Sequence, residues 1–170
     1  HRNEALLEQG RDTIRDRIAS FHEKCSAAKV NCSAIGAEGD PVEQIDQEAD
    51  RHDMIILGRQ TNFHGGEEHE IGETVEKLLK DTPRPLMIAP EDMALGADAD
   101  KVVVAFDGSV TASRAMHMFV LLGLAEGREV HVVSIDEDPG KAQGMAERAV
   151  ALFRSYGIKA EANGLAHSGS

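Results

Sequence analysis

The feature that most constrains the fold is an alternation. Short apolar runs recur at Val30–Ile35, Met54–Leu57, Leu86–Ala89, Val102–Phe106, Val130–Ile135 and Ile158–Leu165, with helix-periodic stretches between them. Runs this short, bounded by Gly and Pro, suit strands, and continuous apolarity suits strands covered on both faces. No hairpin signal joins consecutive runs. Parallel pairing is therefore expected, because parallel neighbours need a crossover long enough to hold a helix. The predicted class is α/β, an open, doubly wound parallel sheet with helices on both sides.

The helical stretches carry their own markers. Leu7, Ile14, Ile18, Phe21, Cys25 and Ala28 form one apolar stripe, so residues 1–28 read as a long helix. Asp40 is placed to cap the next helix, Pro41 suits its first position, and Glu43 can close a capping box. Val42, Ile45 and Ala49 form its inner stripe. A polar loop follows Gly58 and runs to Ile71. Residues 72–79 read as helix with Val75, Leu78 and Leu79 inward, stopped by Pro83 and Pro85. The stretch from Val110 to Glu126 is apolar on nearly all sides, which predicts a deeply packed helix ending at Gly127. Pro139–Tyr156 is the last helix, with Gly157 after it.

Charge excludes some partners. The 170 residues carry 18 basic and 30 acidic side chains, a net charge of −12. Such a surplus repels a nucleic-acid backbone and an anionic membrane surface alike. No apolar stretch approaches the roughly 20 residues of a membrane helix. Two cysteines, Cys25 and Cys32, match no metal or redox spacing and are expected as core thiols in a reducing cytosol. No export signal is visible.

A faint internal repeat appears at a shift of 130 residues, superposing Lys29 on Lys159, Cys32 on Ala162, Ile35 on Leu165 and Gly39 on Gly169. On that reading the chain starts within one unit and ends within the next, so that His1 and Ser168-Gly169-Ser170 are cut edges. The acidic, aperiodic stretch 91–100 is the linker. The expected division is 1–90 as the later part of a first unit and 101–170 as the first part of a second, from a parent of roughly 250 residues.

The segment with most chemistry is Asp107-Gly108-Ser109 at the carboxyl end of the Val102–Phe106 strand, where doubly wound sheets bind ligands. Asp107 can accept hydrogen bonds from ribose hydroxyls there, or it can cap the following helix with Ser109; the same turn serves both. Asp107-Gly108-Ser109, followed by Ser113 and Ala115, resembles the opening of a universal stress protein domain. Gly39-Asp40-Pro41, residues 53–58, residues 72–78 and residues 85–89 are similar to the closing two-thirds of such a domain. The resemblance spans nearly the whole chain, in the order of tandem members of that family. It implies a Rossmann-like, adenine nucleotide α-hydrolase-like fold.

Members that hold ATP use Gly, two residues, Gly, nine residues, then Gly and a hydroxyl residue. Gly58 and Gly72 match glycines of that pattern, and Thr74 retains a hydroxyl close by. Thr61 replaces the second glycine, ten residues separate it from Gly72, and Glu73 replaces the hydroxyl residue. A cradle of backbone N–H groups needs glycine where the chain meets the anion, and a glutamate at a helix N-terminus opposes phosphate. The resemblance puts Ala105, Asp107 and Val133 at adenine- and ribose-facing positions of the second unit. Gly58 and Asp107 thus belong to different units, and one complete site requires the two parts to close on each other.

The expected function is a cytoplasmic stress-response binding or regulatory module, homodimeric and not an enzyme, with a degenerate site for an adenine nucleotide (ATP or AMP). The alternative is an ATP-binding member with slow hydrolysis. His64 and His69 flank Glu67 and Glu68 in a loop rich in glycine, which reads as a solvated acidic surface and not as a metal centre. Ser109, Ser113 and His117 lack the Gly-x-Ser-x-Gly elbow of a hydrolase.

Overall fold

A computed structural model describes residues 2–37, 39–59, 73–90 and 100–167, with side chains from residue 11 in the first helix and from Thr74 in the third. Residues 1–40 and 41–170 form separate compact units.

In the first unit, α1 (Arg2–Ala27) is the long helix that the periodicity predicts. Its stripe is not buried: Ile14 and Phe21 are exposed, and Ile18 and Cys25 half-buried. Leu7 lies outside the described side chains. The helix stops where Lys29 turns left-handed at φ 55°, its N–H donating to Ser26 O while Val30 N–H donates to Cys25 O. This is a Schellman ending built on lysine, where glycine is usual. The strand expected at Val30–Ile35 does not form, and both of those residues are exposed. A strand exists through its ladder, and the described residues of this unit offer no neighbouring strand. Cys25 and Cys32 are free and half-buried, not core thiols. A hydrogen bond from Cys25 pushes the Cys32 thiol pKa up.

In the second unit α2 (Pro41–Ala49) begins at Pro41 as expected. Strands β1 (Ile55–Gly58) and β2 (Leu86–Ala89) pair in parallel, Ile55 opposite Leu86 and Gly58 opposite Ala89. Between them lies α3 (Glu73–Asp81), with Val75 and Leu78 fully buried. Leu79, expected inward, is exposed; each residue turns a helix by about 100°, so Leu78 and Leu79 cannot both face one core. Ile56 is also exposed, so β1 is not covered on both faces. Arg84 donates from Nε to Ala49 O and from Nη2 to Asp50 O, each at 3.0 Å, which ties the end of α2 to the start of β2. A cation there is well placed against the negative end of the helix.

The remaining elements are β3 (Lys101–Ala105), α4 (Val110–Leu121), β4 (Glu129–Asp136), α5 (Pro139–Ser155) and β5 (Ala160–Ala166). They form a parallel sheet in the order β3-β4-β5. The α/β class stands, and the described strands lie in two parallel sheets. Inward-facing Val130 and Val132 of β4 meet Ala146, Ala149, Val150 and Phe153 of α5 and Met116 and Val120 of α4 in one core, and Ser134 is buried on the same side of the strand. Val103, Ile135 and Leu165 point the other way and are 70%, 58% and 50% exposed. Two crossovers running in one direction put both helices on one face, and burial therefore alternates where continuous burial was expected.

Helix α4 is shorter and less buried than its sequence suggests. It ends at Leu121, because Gly123 turns left-handed (φ 71°) and donates to Val120 O, while Leu124 N–H reaches Phe119 O. Gly123 supplies the Schellman glycine, not Gly127, which serves a second turn at φ 70°. Val110 and Leu121 stay exposed. Helix α5 is as expected: Asp138 caps it, Pro139 opens it, and Gly157 ends it at φ 74°.

At Gly164, β5 passes directly under the first turn of α5. A Cβ there would overlap the backbone of Gln143 and come within 2.8 Å of the Ala142 carbonyl carbon. Gly164 N–H also donates to Gln143 Oε1 at 2.9 Å. Gly164→Ala should lower unfolding stability by about 1–3 kcal/mol or more in urea melts, since neither backbone can retreat without disturbing the core. Gly36→Ala, at a site with nothing within 4 Å, should leave the midpoint nearly unchanged.

Candidate functional site

The carboxyl edge of the β3-β4-β5 sheet is the candidate site. Ala105 ends β3 and lies in register with Val133 of β4, which in turn faces Asn163 of β5. All three project from the open face, since they alternate with the buried set. Phe106 follows, its N–H donating to Val133 O at 2.9 Å. Its carbonyl accepts a 2.7 Å hydrogen bond from Ser134 Oγ, a hydroxyl that is 1% exposed. Ser134 thereby fixes the strand end that delivers Asp107. The sequence carries a cue that was missed: Ser134 occupies the inward position after Val130 and Val132, where a polar side chain needs a partner.

Asp107 is exposed and accepts from Ser109 N–H at 2.9 Å. Ser109 caps α4 by accepting from Ala112 N–H at 3.0 Å. The two readings of this turn thus divide between two residues, Ser109 acting as the cap and Asp107 bracing the turn from outside. Gly108 holds φ 77°, a conformation that favours glycine. The hydrogen bonds from Ser109, side chain first and backbone second, hold the Asp107 carboxyl below its usual pKa. The next turn repeats the device: Asp136 accepts from Asp138 N–H at 2.9 Å, and Asp138 accepts from Gly140 N–H at 2.8 Å. Both carboxylates are hydrogen-bonded within the chain and neither was singled out from sequence.

The other expected residues lie elsewhere. Gly58 ends β1 in the two-stranded sheet, and Thr74 sits in the first turn of α3. Thr74 is 1% exposed and its Oγ1 has no hydrogen-bond partner among the described residues. Gly72, Thr61 and the His64–His69 segment lie outside the described residues, as does the Glu73 side chain. A single sheet uniting Gly58 with Asp107 needs β3 to pair with β1 or β2, and no such ladder occurs among the described residues. Ala105, Asp107 and Val133 are brought together; Gly58 and Thr74 are not part of that edge.

No family model matches the sequence. Among curated proteins, the Universal stress protein Slr1230 of Synechocystis sp. (strain ATCC 27184 / PCC 6803 / Kazusa) is 22% identical over 111 residues, 64% of this chain. A solved universal stress protein from Archaeoglobus fulgidus DSM 4304 superposes with a TM-score of 0.72 at 23% identity, over 92% of this chain and 57% of that one. The chain resembles universal stress proteins in sequence and in fold. Its α/β arrangement is the Rossmann-like fold of that structural neighbour. The chain spans 38% of the length of the curated universal stress protein it matches. Among the described residues, no helix is long and apolar enough to cross a membrane.

The Asp107 turn has a pH signature. A carboxyl whose folded pKa is depressed stabilises the fold above its unfolded pKa and loses that contribution as pH falls through the folded value. The Asp107 resonance in an NMR titration should therefore move at lower pH than an ordinary aspartate. Asp107→Asn should flatten the acid limb of the stability profile below the usual carboxylate range, with little change in the core.

Proposed function

We propose that this chain is part of a tandem universal stress protein, with residues 1–90 from one unit, 91–100 as linker and 101–170 from the next. It acts as a binding or regulatory module in the cytoplasm, forms a homodimer, and carries a degenerate adenine-nucleotide site. Support for the tandem reading comes from the likeness to one solved chain across 92% of this one.

The observation that carries the degenerate-site reading is the charge at the carboxyl edge. Asp107 and Asp138 are exposed there and Asp136 half-exposed, each a carboxylate where a phosphate-binding edge presents N–H donors. The N–H groups of Ser109 and Gly140 already donate to Asp107 and Asp138. Glu73 opens α3 and adds like charge at the other half of the family's phosphate pattern. Ala105 and Val133, small and apolar side by side, suit an adenine ring better than a phosphate. The same pair and the braced Asp107 turn also support the second reading, a member that binds ATP and hydrolyses it slowly.

Thermal unfolding with added nucleotide separates these readings, because a ligand selective for the folded state at 100 times its Kd adds about 2.7 kcal/mol. Millimolar ATP should leave the melting temperature of the unmodified chain unchanged, and Thr61→Gly with Glu73→Ser should confer an ATP-dependent rise. Micromolar ATP binding by the unmodified chain, or release of phosphate above background, would sink the degenerate-site reading in favour of the ATPase.

A further inference from the structure

On the open face of the β3-β4-β5 sheet, away from the carboxyl edge, three metal-competent side chains converge. Glu129 and His131 are two residues apart on β4 and so share a face. Glu161 of β5 is the register partner of His131. One donor atom from each of the three lies within 4.8 Å of the others. The backbone ladder, not a loop, sets this placement.

The imidazole stands between the carboxylates without bonding to either. His131 Nδ1 is 3.7 Å from Glu161 Oε2, and Nε2 is 3.7 Å from Glu129 Oε1, both beyond hydrogen-bond range. Nε2 is buried and has no hydrogen-bond partner among the described residues. Nε2, buried beside the Glu129 carboxylate, makes no bond that would satisfy it, and an unsatisfied buried nitrogen is costly. Lys159 meets part of the charge, with Nζ 3.1 Å from Glu129 Oε1, and its pull holds the Glu129 carboxyl below its usual pKa. Nothing comparable faces Glu161 among the described ion pairs.

We propose that Glu129, His131 and Glu161 form a binding site for a divalent transition-metal ion of the zinc type. A tetrahedral ion with bonds of about 2.0–2.2 Å holds its donors about 3.3–3.6 Å apart, so the three atoms must close by roughly 1 Å. Glu161 is 56% exposed and free to swing inward. Lys159 is 71% exposed and retreats to solvent. One imidazole and two carboxylates leave a fourth position for water, and the imidazole selects zinc-type ions over magnesium, which prefers an all-oxygen octahedral shell. The ligands come from the strands themselves and owe nothing to the nucleotide reading.

The test is calorimetric titration of the chelator-treated chain with zinc chloride alone. One zinc ion per chain should bind saturably, and magnesium chloride should give no heat of binding. Glu161→Gln, at an exposed position that leaves the core intact, should weaken zinc at least about tenfold, the scale of losses seen even at outer-sphere partners. His131→Ala should remove saturable binding, with far-UV circular dichroism confirming the fold. Lys159→Ala should tighten it by removing the competing ammonium. His64→Ala with His69→Ala should leave it unchanged. No saturable zinc uptake, or uptake that survives both Glu161→Gln and His131→Ala, would overturn the proposal.

Discussion

Strand β4 is held by hydrogen-bonded ladders on both edges, and the second half of the molecule depends on that double pairing. Lys101–Ala105 runs along one side and Ala160–Ala166 along the other. Because side chains alternate at each residue, one register decides everything at once. It puts Val130, Val132 and Ser134 beneath α5 and leaves His131, Val133 and Ile135 on the opposite face. Slipping β4 by one residue would push His131 and Glu129 into a core that contains Phe153 at 0% exposure and expose two fully buried valines. Two valines alone represent about 3–6 kcal/mol of burial, before any penalty for a buried charge. The register is therefore fixed by what the two faces cannot exchange.

From that register the candidate edge follows. Ser134 can brace Phe106 O only if β3 and β4 are aligned as they are, and the brace sets where the chain leaves β3. The Asp107 turn and the Asp136 turn then open side by side, each with an aspartate accepting the N–H two residues ahead. The close passage of β5 beneath α5 at Gly164 belongs to the same constraint, since a larger residue would lift the helix from the sheet that its alanines cover.

Much of this was legible in the sequence. The strands at residues 86–89, 102–106, 130–135 and 158–165, the parallel class, and the limits of α1 and α5 follow from run length, periodicity and the Pro and Gly markers. What failed depended on partners that a local pattern cannot supply. Val30–Ile35 has strand-like residues but, among the described residues, no neighbour to complete a ladder. In the proposed 130-residue repeat it corresponds to β5, and β5 is a strand because β4 lies beside it. Ile56, Val103 and Leu79 are exposed for a related reason: an apolar run states what could be covered, not what covers it. The apolar pattern runs on to Glu126, but helix α4 ends before it because the positive φ of Gly123, two residues beyond its end, makes that residue the terminator. At the candidate site, Ala105 and Val133 are register partners and Asp107 follows two residues on, whereas Ser134 and Gly164 matter through contacts between elements.

The charge balance bears on what an adenine-type ligand could be, on the reading proposed for the edge. Like charges repel, more weakly at a solvent-exposed edge than in the interior. Asp107, Asp136 and Asp138 ring the edge, and a group carrying several negative charges meets that repulsion more than once before any favourable contact is counted. Screening at physiological salt weakens the effect over about 8 Å without reversing its sign. An uncharged nucleoside escapes it altogether, and still offers a flat ring to Ala105 and Val133 and hydroxyls to Asp107. Each added phosphate therefore has to bring its own cation or its own donors. The hydrogen bonds from Ser109 that lower the Asp107 pKa extend that carboxylate's charge further into acid and leave it unchanged at neutral pH. On the proposed reading, the negative edge suited to hydroxyl donors is also what disfavours a triphosphate.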